Sequence, residues 1–328
     1  MSKSSAPSQA TLADPEVLQA KSSPTRDDDL WFDDGTLIVV AQNVEFRVYR
    51  NHLAERFEVF RDMLSFPQPT PSDSTDDLPC PAIHVTDSAR DWRNVLRLLF
   101  HPEEQGLFVK RSDPSFDVVS ACVRLGHKYQ MTAVYQQAMA YLKYHFTADL
   151  LICKSRRNWV PPGFTLAHAI GVVNLARLTG EHTLLPIALM VCCWKEADIV
   201  EGFTYDDGEQ EKLAHDDLGL CFAAKARLLK VTILAYFTTY TPPPPGSCEL
   251  KDGDACRRAL QGLADIAARE VQRATLPNPI VVLNYALTGS GPRLCNGCST
   301  AVKSRQLERQ RQNWKQLPSV LGIDVPGW

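Results

Sequence analysis

The stretch FRVYRNHLAERFEVFRDML, Phe46 to Leu64, passes from strand texture to helix texture with neither glycine nor proline between. Val44, Phe46 and Val48 alternate with polar residues, the period of a half-buried strand. Leu53, Phe57, Phe60 and Leu64 then fall at i, i+4, i+7 and i+11, a single apolar stripe on a helix. Asn51 is placed to cap its first turn. Upstream, the apolar run Leu37 to Val40 and the turn at Gln42-Asn43 complete a pair of short strands.

The segment SFPQPTPSDSTDDLPCPA, with its prolines, Ser, Thr and Asp, reads as a solvated loop. AIHVTD follows as a third short strand. Asp87 or Ser88 can cap the next helix, where Trp92, Val95, Leu96, Leu99 and Phe100 recur with helical spacing. HPEEQG ends that helix, and two more are expected over Ser115 to His127 and Thr132 to Phe146. The order of elements predicts one α+β domain of about 115 residues.

Beyond Asp149 the pattern is helical. Leu166, Ile170 and Val173 mark one helix, and LLPIALMVCCW, Leu184 to Trp194, a buried second one. LGLCFAAKARLLKVTILAYFTTY gives one or two more. TPPPPG, Thr241 to Gly246, is a stiff hinge. Leu260, Leu263, Ala264, Ala267 and Val271 form a last apolar stripe before the basic helix KSRQLERQRQNWKQL. The expected organisation is a disordered leader (1–28), an α+β domain (29–147), a helical region (148–240), a Pro-rich hinge (241–247) and a Cys-containing helical end (248–328).

Residues 29–147 resemble the BTB/POZ domain. Its strand-to-helix signature is matched by Val48, Leu53, Ala54, Phe60, Met63 and Leu64, its third strand by Ile83 to Asp87, and its closing helix pair by LGHKYQMTAVYQQAMAYL. FDDG, Phe32 to Gly35, stands where the family has an Asp before the first strand. With WKQLPSVLGIDVPGW at the end, the layout is similar to the large fungal group of BTB-containing proteins. The resemblance implies a small mixed sheet with surrounding helices, followed by a mostly α-helical C-terminal region. It also implies association with a second copy or another BTB protein. Tyr49 stands where the family has His, Phe57 where it has Ser, and SFPQPT lacks the Glu of cullin-recruiting members, which speaks against a ligase-adaptor role.

Bulk properties narrow the function. The 328-residue chain is 45% hydrophobic and 22% charged, with a net charge of -3 that gives no global attraction to nucleic acid or acidic membranes. The N-terminal residues lack the apolar core of a signal peptide. Leu184 to Trp194 is about half the length of a membrane span and contains Pro186. Ten cysteines without a secretory signal point to a reducing, intracellular compartment.

Motifs for catalysis are missing: no glycine-rich phosphate loop, no G-x-S-x-G and no H-E-x-x-H. The acidic clusters Asp27 to Asp29, Asp76-Asp77 and Asp206-Asp207 read as solvated loop charge, and His52 and His127 as packing or surface histidines. Cys122, Cys192, Cys193 and Cys221 sit in apolar stretches, as small core residues do. The exception is C-terminal: Cys248 and Cys256, seven residues apart, then Cys295 and Cys298 in CNGC. A C-x-x-C pair can grip one tetrahedral metal, and a second pair across a helix would complete a structural zinc site. Unligated thiols in a turn are the alternative, and a redox motif lacks its strand-turn-helix setting.

The basic helix offers Lys303, Arg305, Arg309, Arg311 and Lys315 against Glu308, with Trp314 available for stacking on bases. No reading motif accompanies them, so nucleic acid is not the expected partner. The expected function is a non-catalytic protein-interaction module. Trp31, Phe32 and Phe57 are the candidate aromatic anchors of its surface. A transcriptional regulator using the basic helix is one alternative, and a substrate adaptor of a cullin-type ubiquitin ligase, against which the missing Glu speaks, is the other.

Overall fold

The computed structural model describes residues 24–65, 80–101, 113–156, 158–242, 248, 253–273, 278–280 and 294–328. They form two compact units, one from the described residues of 1–49 and 70–89, the other from those of 50–69 and 90–328. The architecture is α+β: a small mixed sheet and helices, then a long helical region.

The first unit is a four-stranded sheet: β1 (Thr25–Trp31), β2 (Leu37–Ala41), β3 (Val44–Val48) and β4 (Ala82–Val85), in the order β1-β3-β2-β4. The expected hairpin is present, with Val39 opposite Phe46 and the turn at Gln42-Asn43. β4 runs parallel to β2, with Val39 beside Ile83. Ahead of the expected strands stands β1, parallel to β3, with an irregularity between Arg26 and Trp31. Residues 25–28 therefore belong to a strand rather than to a leader, and Asp27 to Asp29 are strand residues rather than loop charge. Asp27 is buried, and its carboxylate accepts the Leu30 N–H at 3.2 Å. Asp76-Asp77 and the Pro-rich segment 66–79 lie outside the described residues, as does 243–247 of the hinge.

The second unit opens with α1 (Arg50–Arg56) and α2 (Glu58–Ser65). The single expected helix is thus two, interrupted at Phe57, whose N–H still bonds to the Leu53 carbonyl at 3.0 Å. Because α1 begins at Arg50, Asn51 lies inside it and is not its cap. All four stripe residues, Leu53, Phe57, Phe60 and Leu64, are buried. Phe60 meets Trp92 edge-on, ring centres 5.6 Å apart, in α3 (Ala89–Phe100).

α4 (Phe116–Lys128) and α5 (Thr132–His145) match the expected helix pair, and Ser115 caps the first. α6 (Leu150–Ser155) is capped by Asp149, which accepts the Leu151 and Ile152 N–H groups at 2.7 and 3.1 Å. α7 (His168–Thr179) starts after Leu166, which is exposed instead of lying on the helix stripe. α8 (Leu185–Cys192) carries Pro186 in its first turn, where no N–H is lost, and is buried throughout. Short 3₁₀ segments, His182–Leu184 and Cys193–Ile199, flank it. A hairpin unforeseen from sequence follows: β5 (Phe203–Thr204) and β6 (Gln210–Glu211), paired antiparallel.

The remainder is three long helices: α9 (His215–Thr239), α10 (Gly253–Arg273) and α11 (Asn296–Leu321). They share a core of Ala235, Tyr236, Tyr240, Leu260, Leu263, Ala267 and Val302. Among the described residues, no helix is long and apolar enough to cross a membrane.

Candidate metal centre

Cys295 and Cys298 are held by the start of α11. Cys295 is the N-cap, extended at φ -64° and ψ 165°, and its sulfur accepts the Cys298 N–H at 3.4 Å. Asn296 and Gly297 are the first helical residues, so the reversal between the thiols is made by the helix N-terminus and not by a free Asn-Gly turn. Cys256 lies in the first turn of α10, one turn before buried Leu260, and its sulfur accepts the Cys295 N–H at 3.4 Å. Cys248, ahead of α10, brings its sulfur to 3.8 Å from that of Cys295.

All four sulfurs lie within 4.8 Å of one another. A tetrahedral ion with metal–sulfur bonds of about 2.3 Å requires sulfurs about 3.8 Å apart. The Cys248–Cys295 separation has that value, and the rest of the set is within reach of it. Among the described residues this is the one group of three or more metal-ligating side chains so gathered. The four-cysteine cluster is geometrically compatible with holding a metal ion.

Burial, and then the neighbouring thiols, push Cys298 well above the ordinary thiol range, and burial also raises Cys256. Four thiolates this close do not coexist without a positive charge among them. Both N–H···S bonds point donors at sulfur, and the positive end of the α11 dipole lies beside Cys295 and Cys298, an arrangement suited to metal-bound thiolate. Four protein ligands also fill a tetrahedral shell, leaving no position for a substrate.

Four of the other six thiols are where their apolar neighbours predict, while Cys80 and Cys153 are half-buried. Cys122, Cys192, Cys193 and Cys221 are buried, and burial is the main reason the Cys122 thiol is raised. The aromatic candidates divide. Phe57 is only 3% exposed and meets Phe60 edge-on, so it is a core residue and not a surface anchor. Trp31 and Phe32 are half-buried, Trp31 under the Arg26 guanidinium at 4.3 Å and Phe32 stacked on Tyr49 at 5.1 Å. Trp314, read as free for stacking on bases, is buried. Its Nε1–H donates to the Ala148 carbonyl at 2.9 Å and its ring lies on Trp328. Lys303, Arg311 and Lys315 remain exposed on α11, while Arg305 and Arg309 are half-buried.

A second polar constellation had no motif to announce it. Arg90 lies 3.5 Å over the Tyr205 ring and reaches Asp207 at 2.8 Å and Glu209 at 3.0 Å on the β5-β6 hairpin. Buried Glu211 receives Arg124 at 2.5 Å, Asn174 at 2.8 Å and the Tyr205 hydroxyl. Three donors occupy that carboxylate, so the cluster fastens the hairpin to α3, α4 and α7. Asp207 is accordingly an ion-pair partner and not merely solvated charge.

In comparisons with known proteins, no family model matches this chain, and no curated protein or solved structure matches it.

Proposed function

We propose that this protein is a non-catalytic protein-interaction module. In this reading a BTB/POZ-like segment, residues 29–147, mediates association, and the helical end is fastened by structural zinc on Cys248, Cys256, Cys295 and Cys298. The observation that carries the zinc assignment is the convergence of four sulfurs within 4.8 Å, one pair of them at the tetrahedral distance of 3.8 Å. All-sulfur donors in a tetrahedral set suit zinc above the hard cations, which take oxygen. The association reading is supported by the element order, a hairpin, two short helices, a strand parallel to β2 and a closing helix pair, which agrees with the resemblance read from the sequence. The burial of Trp314 removes the ring that a nucleic-acid role would use.

Metal analysis of the purified full-length protein tests the zinc assignment. About one zinc per chain is expected, lost in Cys256→Ser and Cys298→Ser. Less than about half an equivalent, with all four cysteines reduced, sinks it. The interaction reading is tested by affinity capture from cells with wild type and with Trp31→Ser/Phe32→Ser. Partners that depend on those two aromatics support it, and capture of nothing above the tag control overturns it.

A further inference from the structure

We infer that α9 is a self-association helix: two copies pair α9 antiparallel about a two-fold axis, each placing Phe222 over the α9–α10 cleft of the other. On α9, Phe222, Ala226, Leu229, Ile233 and Phe237 are spaced i, i+4, i+7, i+11 and i+15, one stripe about 22 Å long. The opposite side of the helix carries buried Cys221, Ala224, Leu228, Thr232 and Ala235, and buried Tyr236 lies at the edge of the stripe. The stripe faces outward: Phe222 is 54%, Leu229 41% and Phe237 58% exposed, and Ala226 is exposed too. A soluble helix carries polar residues at such positions unless something covers them.

The spacing fits a second copy of the same helix. A two-fold interface must be self-complementary, with residue i against j and j against i. About a centre between Leu229 and Lys230, Phe222 mirrors Phe237 and Ala226 mirrors Ile233. Antiparallel pairing therefore sets phenylalanine beside phenylalanine at both ends and small against large between them. Beside Phe237 lies a cleft of about 170 Å³ lined by Ile233, Tyr236, Phe237, Ala264 and Ala268. A void of about 150 Å³ accepts one aromatic ring, and the register brings the partner's Phe222 to its mouth.

The area suits a weak, reversible pair. The two half-exposed phenylalanines offer on the order of 200 Å². With Ala226, Leu229, Ile233, Leu234 and the cleft walls, each copy buries roughly 500 Å², or roughly 1,000 Å² for the pair, the threshold for a biological interface and the size of a weak, reversible one.

One charge decides between a second copy and an anionic partner. Exposed Lys230 lies beside the stripe, and the two-fold axis brings two of them together. Salt screens that repulsion, so a self-pair tightens with added salt. An acidic helix or anionic lipid surface would instead be released by it.

Sedimentation or light scattering of the full-length protein, between roughly 1 and 100 µM as suits an interface of this size, is the test. The mass is expected to rise with concentration and with salt. Phe222→Asp and, independently, Phe237→Asp are expected to halve it, with unchanged circular dichroism and metal content. Leu307→Asp, at an exposed apolar site on α11, is expected to leave it unchanged. Leu229→Cys is expected to give an intermolecular disulfide on mild oxidation. Association through residues 29–147 would raise the mass of every variant equally and leave the halving intact, so the two proposals fail separately. A mass that neither aspartate lowers, a monomer at every concentration, or binding to anionic vesicles that salt reverses overturns the inference.

Discussion

The Arg177 guanidinium holds the Asp217 carboxylate through three contacts, Nε to both oxygens at 3.2 Å and Nη2 to Oδ1 at 2.6 Å, tying α7 to the first turn of α9. Asp217 is 3% exposed, whereas the Arg177 side chain is partly solvated. Removing the arginine strands a buried anion, while removing both partners does not. Arg177→Ala is expected to cost on the order of 2–3 kcal/mol, and Arg177→Ala/Asp217→Ala less than the two single variants summed. Urea unfolding of the four proteins measures the coupling. Additive losses would show that the pair does not act as a unit.

Gly202 takes φ +75° at the entry to the β5-β6 hairpin, and a Cβ there would lie 2.0 Å from the Glu211 carbonyl oxygen. Backbone cannot yield as a side-chain tip can. Gly202→Ala is expected to cost about 2–4 kcal/mol, combining left-handed strain with displacement of β6. Gly171→Ala is milder, about 1–3 kcal/mol, because its obstacle is the Phe116 ring, which can shift at the expense of packing. Thermal unfolding that ranks them in the opposite order would contradict this reading.

His145 is half-buried beside Tyr141. Burial, and then the Arg156 charge, lower its pKa from 6.5 to about 4. The unfolded chain therefore binds a proton between those values that the folded chain refuses. Stability is expected to be highest above pH 6.5 and to fall as pH drops towards 4. Denaturant unfolding at several pH values, compared with His145→Gln, isolates this contribution. An unchanged slope in the variant would assign the acid sensitivity to other groups.

Every thiol that becomes a metal ligand must give up its proton, and burial raises two of the four. Metal affinity is expected to fall at least tenfold from about pH 8 to about pH 6, read by competition with a chromophoric chelator. A pH-independent affinity would mean that the cysteines are not the ligands.

How far the sequence disclosed this structure depends on periodicity. β2, β3 and the Leu53 to Leu64 stripe were legible because their apolar residues alternate or recur with a definite period. β1 was not: it turns Asp27 and Leu30 inward, three residues apart across an irregular stretch, and three aspartates look solvated. The β5-β6 hairpin has strands of two residues, too short for any period. Trp314 misled because the inner face of α11 is lined by Gln306, Gln310 and Asn313, so its apolar spacing is faint. The CNGC pair advertised itself. That Cys248 and Cys256 converge on it is a fact of three dimensions that spacing alone left open.

The gathering of these four cysteines also has a mechanical meaning. An ion joining Cys256 to Cys295 would close a loop of about 40 residues, denying the unfolded chain some 4 kcal/mol of configurational freedom in the chain-entropy model. In a reducing compartment a disulfide with that task would break, whereas thiolates on an ion would hold. The loop inside the clasp is then a place where the chain can lengthen at little thermodynamic penalty, since doubling it changes the closure term by only about 0.6 kcal/mol.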